Sequence, residues 1–479
     1  MSSFRFSDMR RIGLGLGLLM VMPAAGQHER VISQLNDHNT VSGTDEIKSY
    51  RTLFDAYLTL DPPPFVVDED FNLNTIHPGM SEWSEVSGWA ESNAGMAKAI
   101  LDCKNHNILG LPYGEEEVDS AYRQAGIMAQ IAVDGSLRRN EFPYLDAVDT
   151  ITAFATAEMY RLLEASQTQE GLDLAVAHIF VLRQLTDRQF LVEKLHSIQL
   201  LVDALANLRD VFYSYADDIT PQQYVEIGKF ELPFLRPDSK HLEIPEGDRI
   251  ISSALLDEVF DHGEQADPEK FTSTFGAIQS KNSPLERFGA ARRWRMIAPV
   301  HSSLSDSKNR LTLVYDDWWR RWRVKQYDLI LESETQFDRT NPIRYAAVIY
   351  SMQNIEVVFG ARNQLVASVS GTIMAAGLCA YHKELGTYPD DQEKLYGQYV
   401  RKISDIDPYD RAYGHLRYRR LDSRTALDTA EERFWLDNGD CLLYARGEDN
   451  QDNRGADHSV DGGFGDLVFW PPVKAISRE

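Results

Sequence analysis

The sequence has little cysteine and lacks the short motifs of common enzymes. Three cysteines occur among 479 residues, and Cys103, Cys379 and Cys441 lie too far apart for a zinc or thiol-redox spacing. No His-Glu-x-x-His, Gly-x-Ser-x-Gly or Gly-Lys-Ser/Thr sequence is present, so zinc peptidase, serine hydrolase and phosphate-loop signatures are missing. We therefore predict no catalytic and no cofactor-binding residues. For the cysteines, three buried thiols are favoured over one disulfide plus one thiol.

Positive charge is also scarce. Lys and Arg number 49 against 73 Asp and Glu, which gives a formal net charge of -24. A surface of this sign repels nucleic acid and anionic membranes. The predicted partner is therefore a protein of the cell envelope and not a nucleic acid.

The N-terminus has the order of features found in an export signal. Arg5, Arg10 and Arg11 are basic, residues 12–22 are apolar, and small residues precede a cleavage point after Gly26. These eleven apolar residues are fewer than the ~20 that a membrane-spanning helix needs. We predict a signal peptide over residues 1–26 and a periplasmic or extracytoplasmic protein. The alternative is an uncleaved signal anchor in the inner membrane, with membrane contact only through this segment.

The next segments divide into a linker and a helical region. Residues 27–43 are polar and are predicted to be a disordered linker. Residues 44–350 show helical periodicity, with helix starts such as Thr220-Pro221 and Asp267-Pro268. No fixed repeat length occurs, so this region is predicted to be an irregular α-helical bundle or solenoid.

Tryptophans and arginines interleave between Asp316 and Lys325. The favoured interpretation is an amphipathic helix with its tryptophans in the core and its arginines paired with carboxylates. The alternative is a helix that touches a membrane surface.

Residues 352–479 are predicted to form a small α+β module. The helix from Asn354 to Leu385 contains an uncharged stretch, residues 365–381, whose glycines and hydroxyl residues suit close packing inside a protein. Alternating or apolar runs then predict three strands, which would form a short antiparallel sheet packed on that helix. The strands are expected at Leu416–Arg419, Cys441–Ala445 and Leu467–Trp470.

The same segment carries a family resemblance. The run Ala380–Pro389, the pair Asp407-Pro408, the strand Leu416–Arg419 and the segment Gly447–Asp449 occur in the order typical of major (G-class) type II secretion pseudopilins. The segment resembles the head of that class, and the chain also resembles a group of uncharacterised bacterial envelope proteins. The resemblance implies a fold and a location, since that group has no established activity.

A calcium site is predicted in the acidic loop between Glu448 and Asp466. The loop holds six acidic residues against one arginine, and five glycines from Gly447 to Gly465 allow tight turns. Major pseudopilins carry calcium in the corresponding loop, so the resemblance implies the same ion. The spacing does not match the twelve-residue EF-hand loop, so a solvated Asp/Gly hairpin loop without metal is favoured over the calcium site. The predicted ligands are Asp449, Asn450, Asp452, Asn453 and Asp457.

Three functions are compatible with these patterns. The favoured one is an exported, non-enzymatic interaction or scaffold protein of the bacterial envelope. The second is an envelope hydrolase with an unrecognised site between helices, which a polar cleft or a His–acid pair would favour. The third is a component related to the type II secretion pseudopilus.

Overall fold

A computed structural model gives the architecture of most of the chain. It describes residues 25–65, 75–235, 242–261, 263–275, 292, 295–324, 328–402, 405–411, 414–429, 433–457 and 465–478. The apolar part of the predicted export signal lies outside these residues. Within them the chain is mainly α-helical and ends in small antiparallel sheets, which confirms the predicted fold class.

The α-helices have the following bounds. They are α1 Ala25–Asn36, α2 Tyr50–Tyr57, α3 Trp83–Ser92, α4 Ala94–Cys103, α5 Ser120–Gln124, α6 Tyr144–Glu164, α7 Thr168–Thr186, α8 Leu191–Ser214, α9 Pro221–Val225, α10 Glu246–Phe260, α11 Pro268–Phe275, α12 Leu304–Arg323, α13 Ala346–Ser351, α14 Val357–Leu385 and α15 Val473–Ile476. Single-turn 3-10 segments occur between several of them, and a π-helical turn covers Glu226–Glu231.

Two predicted helix starts are confirmed by their capping contacts. Thr220 and Gln223 form a capping box at the start of α9, where the Gln223 side chain accepts from the Thr220 amide at 2.8 Å. At α11 the Asp267 carboxylate accepts from the Glu269 and Lys270 amides, both at 2.8 Å. These side chains satisfy N–H groups that the first helical turn leaves unpaired.

The prediction of a disordered linker over residues 27–43 is wrong. Most of that segment belongs to α1, and Val31, Leu35 and Val41 are buried in the main core. The Gln27 side chain donates to the Ala254 carbonyl of α10 at 2.9 Å. Residues 27–43 contain only four apolar side chains, Val31, Ile32, Leu35 and Val41, so the amphipathic helix was hidden among polar neighbours.

The core is built around α8. It packs against α7 on one side and against the long helix α14 on another, while α6 packs on α7. Most of the buried apolar residues form one cluster that runs from Val31 to Trp470. A second, small cluster at the C-terminal sheets consists of Leu421, Leu427, Leu436, Leu442 and Tyr444. The two predicted segments therefore share a hydrophobic core across residues 350–352.

The uncharged stretch of α14 is buried inside the protein, as its small residues predicted. Among the described residues, α14 is the one helix long and apolar enough to cross a membrane, and 83% of its most apolar stretch is buried. A Cβ atom on Gly377 would lie 2.6 Å from Val400 Cγ1. Small residues in α14 thus permit contacts that larger ones would block.

The strands lie at the C-terminal end and form two sheets. In the first, β4 (Cys441–Ala445) lies between β1 (Arg417–Arg420) and β5 (Leu467–Trp470), with antiparallel pairing on both sides. The second is a hairpin of β2 (Thr425–Asp428) and β3 (Arg433–Leu436), which is not among the strands predicted from the sequence. The three predicted strands are confirmed, with β1 shifted by one residue.

The tryptophans of α12 follow the favoured interpretation. Trp318 and Trp322 are buried, and the Arg362 guanidinium lies 4.3 Å from the Trp322 ring centroid. Arg321 is itself buried, and its Nε donates to Asp317 at 2.9 Å. Trp319 is only partly buried, and it borders a cleft described below.

Candidate functional site

The acidic loop was the only site predicted from the sequence, and its side chains mainly fold the loop itself. Asp449 accepts from the Gln451 amide through Oδ1 and from the Asn453 side chain through Oδ2, both at 2.9 Å. Asn450 has a positive φ of 53°, which places it in the left-handed region. These contacts are those expected of Asx turns in a tight loop.

The remaining predicted ligands also have protein partners. Asp452 Oδ1 accepts from the Tyr444 hydroxyl at 2.8 Å and from the Arg454 amide at 3.1 Å. The Asp457 carbonyl accepts from the Gly465 amide at 2.9 Å. Over the part of the chain that the structure describes, no three His, Cys, Asp or Glu side chains converge as a metal site.

Asp466, which is not among the predicted ligands, is a buried carboxylate at the end of this loop. It is 1% exposed, and its Oδ2 accepts from the Gly455 amide at 2.7 Å, whereas Oδ1 has no partner among the described residues. Burial raises its pKa to about 7, and the charges of Asp452 and Asp449 also raise it. Its position directly before β5 marks where the loop returns to the sheet.

A second feature is an exposed aromatic surface that follows α9. We call Phe230 and Phe234, with the flanking cations Lys229 and Arg401, the aromatic patch. The two rings are 42% and 62% exposed, although they lie on a turn whose other face is buried. Exposed large aromatic side chains of this kind are typical of interaction surfaces.

Close packing holds the turn of the aromatic patch in place. A Cβ atom on Gly228 would lie 2.9 Å from Ala376 Cβ and 3.1 Å from the Ile373 carbonyl oxygen of α14. A π-helical turn widens the helix and often occurs where a functional side chain is displayed. The absence of a side chain at Gly228 therefore lets this turn seat against the core helix.

The two cations bind the turn to a neighbouring loop. Lys229 Nζ donates to the Gly397 and Gln398 carbonyls at 2.5 and 3.1 Å, and Arg401 Nε donates to the Lys229 carbonyl at 2.8 Å. The Arg401 guanidinium also lies 5.1 Å from the ring centroid of Phe234. The rings of the aromatic patch are thus presented on a braced surface.

A third feature is a cleft of about 350 Å³ between α10 and α12, which we call the α10–α12 cleft. Its lining combines aromatic rings with charged groups, three of them carboxylates. The lining residues are His38, Glu243, Glu246, Arg249, Thr312, Tyr315, Asp316 and Trp319.

A fully buried polar network lies at the start of α8. Glu193 accepts from the Tyr113 and Tyr144 hydroxyls at 2.7 and 2.6 Å and from Arg188 Nε at 2.9 Å. Asp248 of α10 accepts from the Leu191 amide at 2.7 Å. Apart from the Arg188–Glu193 pair, these contacts join segments distant in sequence, so the network fixes how α6, α8 and α10 meet.

Two His–acid pairs of the kind that would favour a hydrolase are present among the described residues. In one, His415 Nδ1 lies 3.0 Å from Asp405 Oδ2, and the histidine is exposed. The other joins α8 to α6. His196 Nε2 of α8 lies 2.6 Å from Asp149 Oδ1 of α6, and both side chains are about one-fifth exposed. Among the described residues, no serine, threonine or cysteine forms a hydrogen bond with His196. The pair therefore lacks a nucleophile in contact with its imidazole.

Comparison of this chain with protein-family models, with curated proteins and with solved structures gives no match.

Proposed function

We propose that this chain is an exported, non-enzymatic interaction protein of the bacterial cell envelope. The observation that supports an interaction role is the aromatic patch, where Phe230 and Phe234 are exposed on a turn held to the core through Gly228. Rigid aromatic side chains lose little conformational entropy on binding, and arginine beside them is common in interaction hot spots. Export is supported by the order of basic, apolar and small residues in residues 1–26.

The partner that fits this surface has apolar side chains edged by carboxylates. The rings supply apolar contact area, and Lys229 and Arg401 place two positive charges beside them. On a protein with a net charge of -24, this local positive charge selects for an acidic contact area in the partner.

The test is cross-linking in the cell envelope with a photoreactive phenylalanine analogue at position 234. A defined cross-linked protein should appear, and Phe230→Ala with Phe234→Ala should remove the same complex from an affinity capture. Truncating two central aromatic residues is expected to weaken binding by about 2 kcal/mol or more, roughly thirtyfold.

The matched control is Trp435→Ala. Trp435 is an exposed aromatic residue of β3, 54% accessible, so its removal changes the surface without touching the aromatic patch. That variant should capture the same partner as the parent protein. Recovery of an unchanged partner by the double phenylalanine variant would refute the proposal.

The hydrolase alternative is supported by the less exposed of the two His–acid pairs, which His196 and Asp149 form. If the pair orients a general base, the protein should hydrolyse an ester, amide or glycoside substrate, and His196→Ala should abolish that activity. Equal turnover by the variant, or no turnover in a panel of envelope-derived substrates, would leave the interaction role. The pseudopilus alternative would instead require processing of this chain by prepilin peptidase.

We also propose that the acidic loop binds calcium. The supporting observation is Asp466, because one of its buried carboxylate oxygens has no hydrogen-bond partner within the described part of the loop, and Asp449 and Asp452 are close enough to raise its pKa. Calcium takes six to eight oxygen ligands, so backbone carbonyls or water would complete the set. The bound ion would neutralise a carboxylate that is otherwise costly to ionise.

Calcium binding predicts a rise in melting temperature that depends on this loop. Ligand at about a hundred times its dissociation constant adds roughly 2.7 kcal/mol to the free energy of unfolding. Asp452→Asn and Asp466→Asn should abolish the rise, while Asp422→Asn, outside the loop, should retain it. The same melting temperature with millimolar calcium and with chelator would contradict the calcium proposal.

A further inference from the structure

The short C-terminal helix α15 packs on α8. We call residues 473–478, which include α15, the C-terminal strap. Val473 and Ile476 of the strap pack against the small hydrophobic cluster at the C-terminal sheets, and Ala475 is 3% exposed. The backbone hydrogen bonds of the strap are local, such as that from the Ser477 amide to the Val473 carbonyl at 3.0 Å. A single helical turn is marginally stable by itself, so the position of the strap depends on its side-chain contacts with the body of the protein.

One ion pair joins the strap to α8. Arg478 Nη1 lies 3.7 Å from Asp210 Oδ2, and the Asp210 side chain is 3% exposed. Hydrogen bonds between a guanidinium and a carboxylate are about 2.7–2.9 Å long. The two charges are therefore in contact without a hydrogen bond, and Asp210 Oδ2 has no hydrogen-bond partner within the described part of the chain.

Two further buried polar groups near this ion pair lack a hydrogen-bond partner among the described residues. They are the Tyr160 hydroxyl of α6 and Asn207 Nδ2 of α8, in residues that are 2% and 3% exposed. Asn207 lies one helical turn before Asp210, and the Tyr160 hydroxyl is close enough to Asp210 and Arg478 for both charges to affect its pKa. Buried polar groups are normally paired, and leaving one unpaired is costly. The closed strap therefore keeps water from groups that would bind it in an open state.

The charged groups at this contact also favour water. Burial raises the pKa of Asp203 and Asp210 on α8 and lowers the pKa of Lys474 on the strap, because burial disfavours the charged form of each group. The two carboxylates act on Lys474 in the opposite direction but do not overcome the effect of burial. Closing the strap therefore removes hydration from charges on both sides of the contact.

We propose that the C-terminal strap opens from α8 in the folded protein, and that the contact between Arg478 and Asp210 is the latch that holds it closed. Opening brings water to Tyr160, Asn207 and Asp210, whereas α8 itself stays packed against α7 and α14. Local opening of this kind occurs in elements with few buried contacts. This inference goes beyond the proposed interaction function and does not rest on it.

The test places a reporter thiol beneath the strap. Asn207→Cys replaces a side chain whose amide nitrogen is unpaired, and N-ethylmaleimide labelling of the new thiol is followed by mass spectrometry at pH 7. Ser197→Cys is the matched control, because Ser197 is fully buried on the same helix, about 15 Å along its axis from Asn207. The parent protein, with its three buried cysteines, gives the background. The thiol at position 207 should react at least about tenfold faster than the thiol at position 197, which reports global unfolding.

Changes to the latch decide whether the strap controls this labelling. In the Asn207→Cys protein, Arg478→Gln should speed labelling by about tenfold or more, since the buried Asp210 loses its counterion. Arg123→Gln, which removes an arginine from a surface ion pair, should leave the rate unchanged. Tyr160→Phe should slow labelling, because no hydroxyl then gains water on opening. Equal rates for the two reporter thiols, or a rate that Arg478→Gln does not change, would overturn the proposal.

Hydrogen exchange gives a second measurement if Asn207→Cys does not fold. In the peptide that covers residues 470–478, exchange should be faster in Arg478→Gln and slower in Tyr160→Phe than in the parent protein. A terminus that frays without a latch would exchange equally fast in all three proteins. That result, or faster exchange in Tyr160→Phe, would contradict an opening strap.

Discussion

Gly371 of α14 lies against the ring of Phe469 of β5. A Cβ atom at position 371 would be 2.6 Å from Phe469 Cδ1 and closer still to Cγ. The Arg209 guanidinium of α8 lies 5.2 Å from the same ring centroid, and its Nη1 donates to the Thr372 hydroxyl at 2.6 Å. The helix α14, the strand β5 and the helix α8 therefore meet at this point. This contact explains why residues 352–479 share the core of the residues before them.

Gly371→Ala should destabilise the protein. The methyl group cannot be accommodated without displacing the Phe469 ring, and overpacking of this kind costs roughly 1–3 kcal/mol. The measurement is urea unfolding followed by tryptophan fluorescence. Gly95→Ala is the matched control, because Gly95 lies in α4 with no atom within 4 Å of the new Cβ. That change should stabilise the protein slightly, and equal effects of the two substitutions would contradict the packing argument.

Glu193→Gln should lower the free energy of unfolding far more than a substitution in a surface ion pair does. Removal of the carboxylate charge leaves Arg188 buried without its counterion, and breaking a buried pair typically costs about 3–5 kcal/mol. Glu116→Gln serves as control, since Glu116 pairs with Arg123 at the surface and such pairs contribute about 0–1 kcal/mol. Denaturant titration of both variants compares their losses of stability. Similar unfolding midpoints would show that the buried network is not essential for stability.

Asp248 predicts a specific dependence of stability on pH. Burial raises the pKa of this carboxyl from 3.8 to about 7 in the folded protein. Between these two pKa values the folded state binds a proton that the unfolded chain has released. The free energy of unfolding therefore falls as the pH rises from about 4 to about 7. Asp248→Asn stays neutral and can still accept from the Leu191 amide.

The stability of Asp248→Asn relative to the parent protein should therefore increase over that pH range, by at most about 1.4 kcal/mol per pH unit. Urea titrations at several pH values measure the difference. A curve for Asp248→Asn that runs parallel to that of the parent protein would contradict a raised pKa for this carboxyl.

The thiols should be unreactive in the native protein. Cys103, Cys379 and Cys441 are buried and free, and burial raises the pKa of Cys103 to about 12. Thiolate is the reactive form, so Ellman's reagent at mildly alkaline pH should label the folded protein very slowly. In denaturant three thiols should react. One reactive thiol in denaturant would instead show that a disulfide had formed.

The acidic loop shows how far the sequence could specify a site. The composition of residues 447–466 predicted tight turns with inward oxygens, and Asp449 and Asp452 do accept backbone amides. The sequence could not show that Asp466 is the buried member, because burial depends on how β5 pairs with β4. The α10–α12 cleft was beyond prediction, since its carboxylates are contributed by segments far apart in the chain.

The sequence by itself determined the helical character of the body, the caps of α9 and α11, the buried nature of α14 and the strands β4 and β5. These features depend on side chains within a few residues of one another, where periodicity and capping act. Only the tertiary structure decided that α14 packs on α8, that Glu193 meets Tyr113 and Tyr144, and that the predicted linker forms α1. Those outcomes require contacts across long stretches of chain, and no local pattern encodes which buried surfaces will meet.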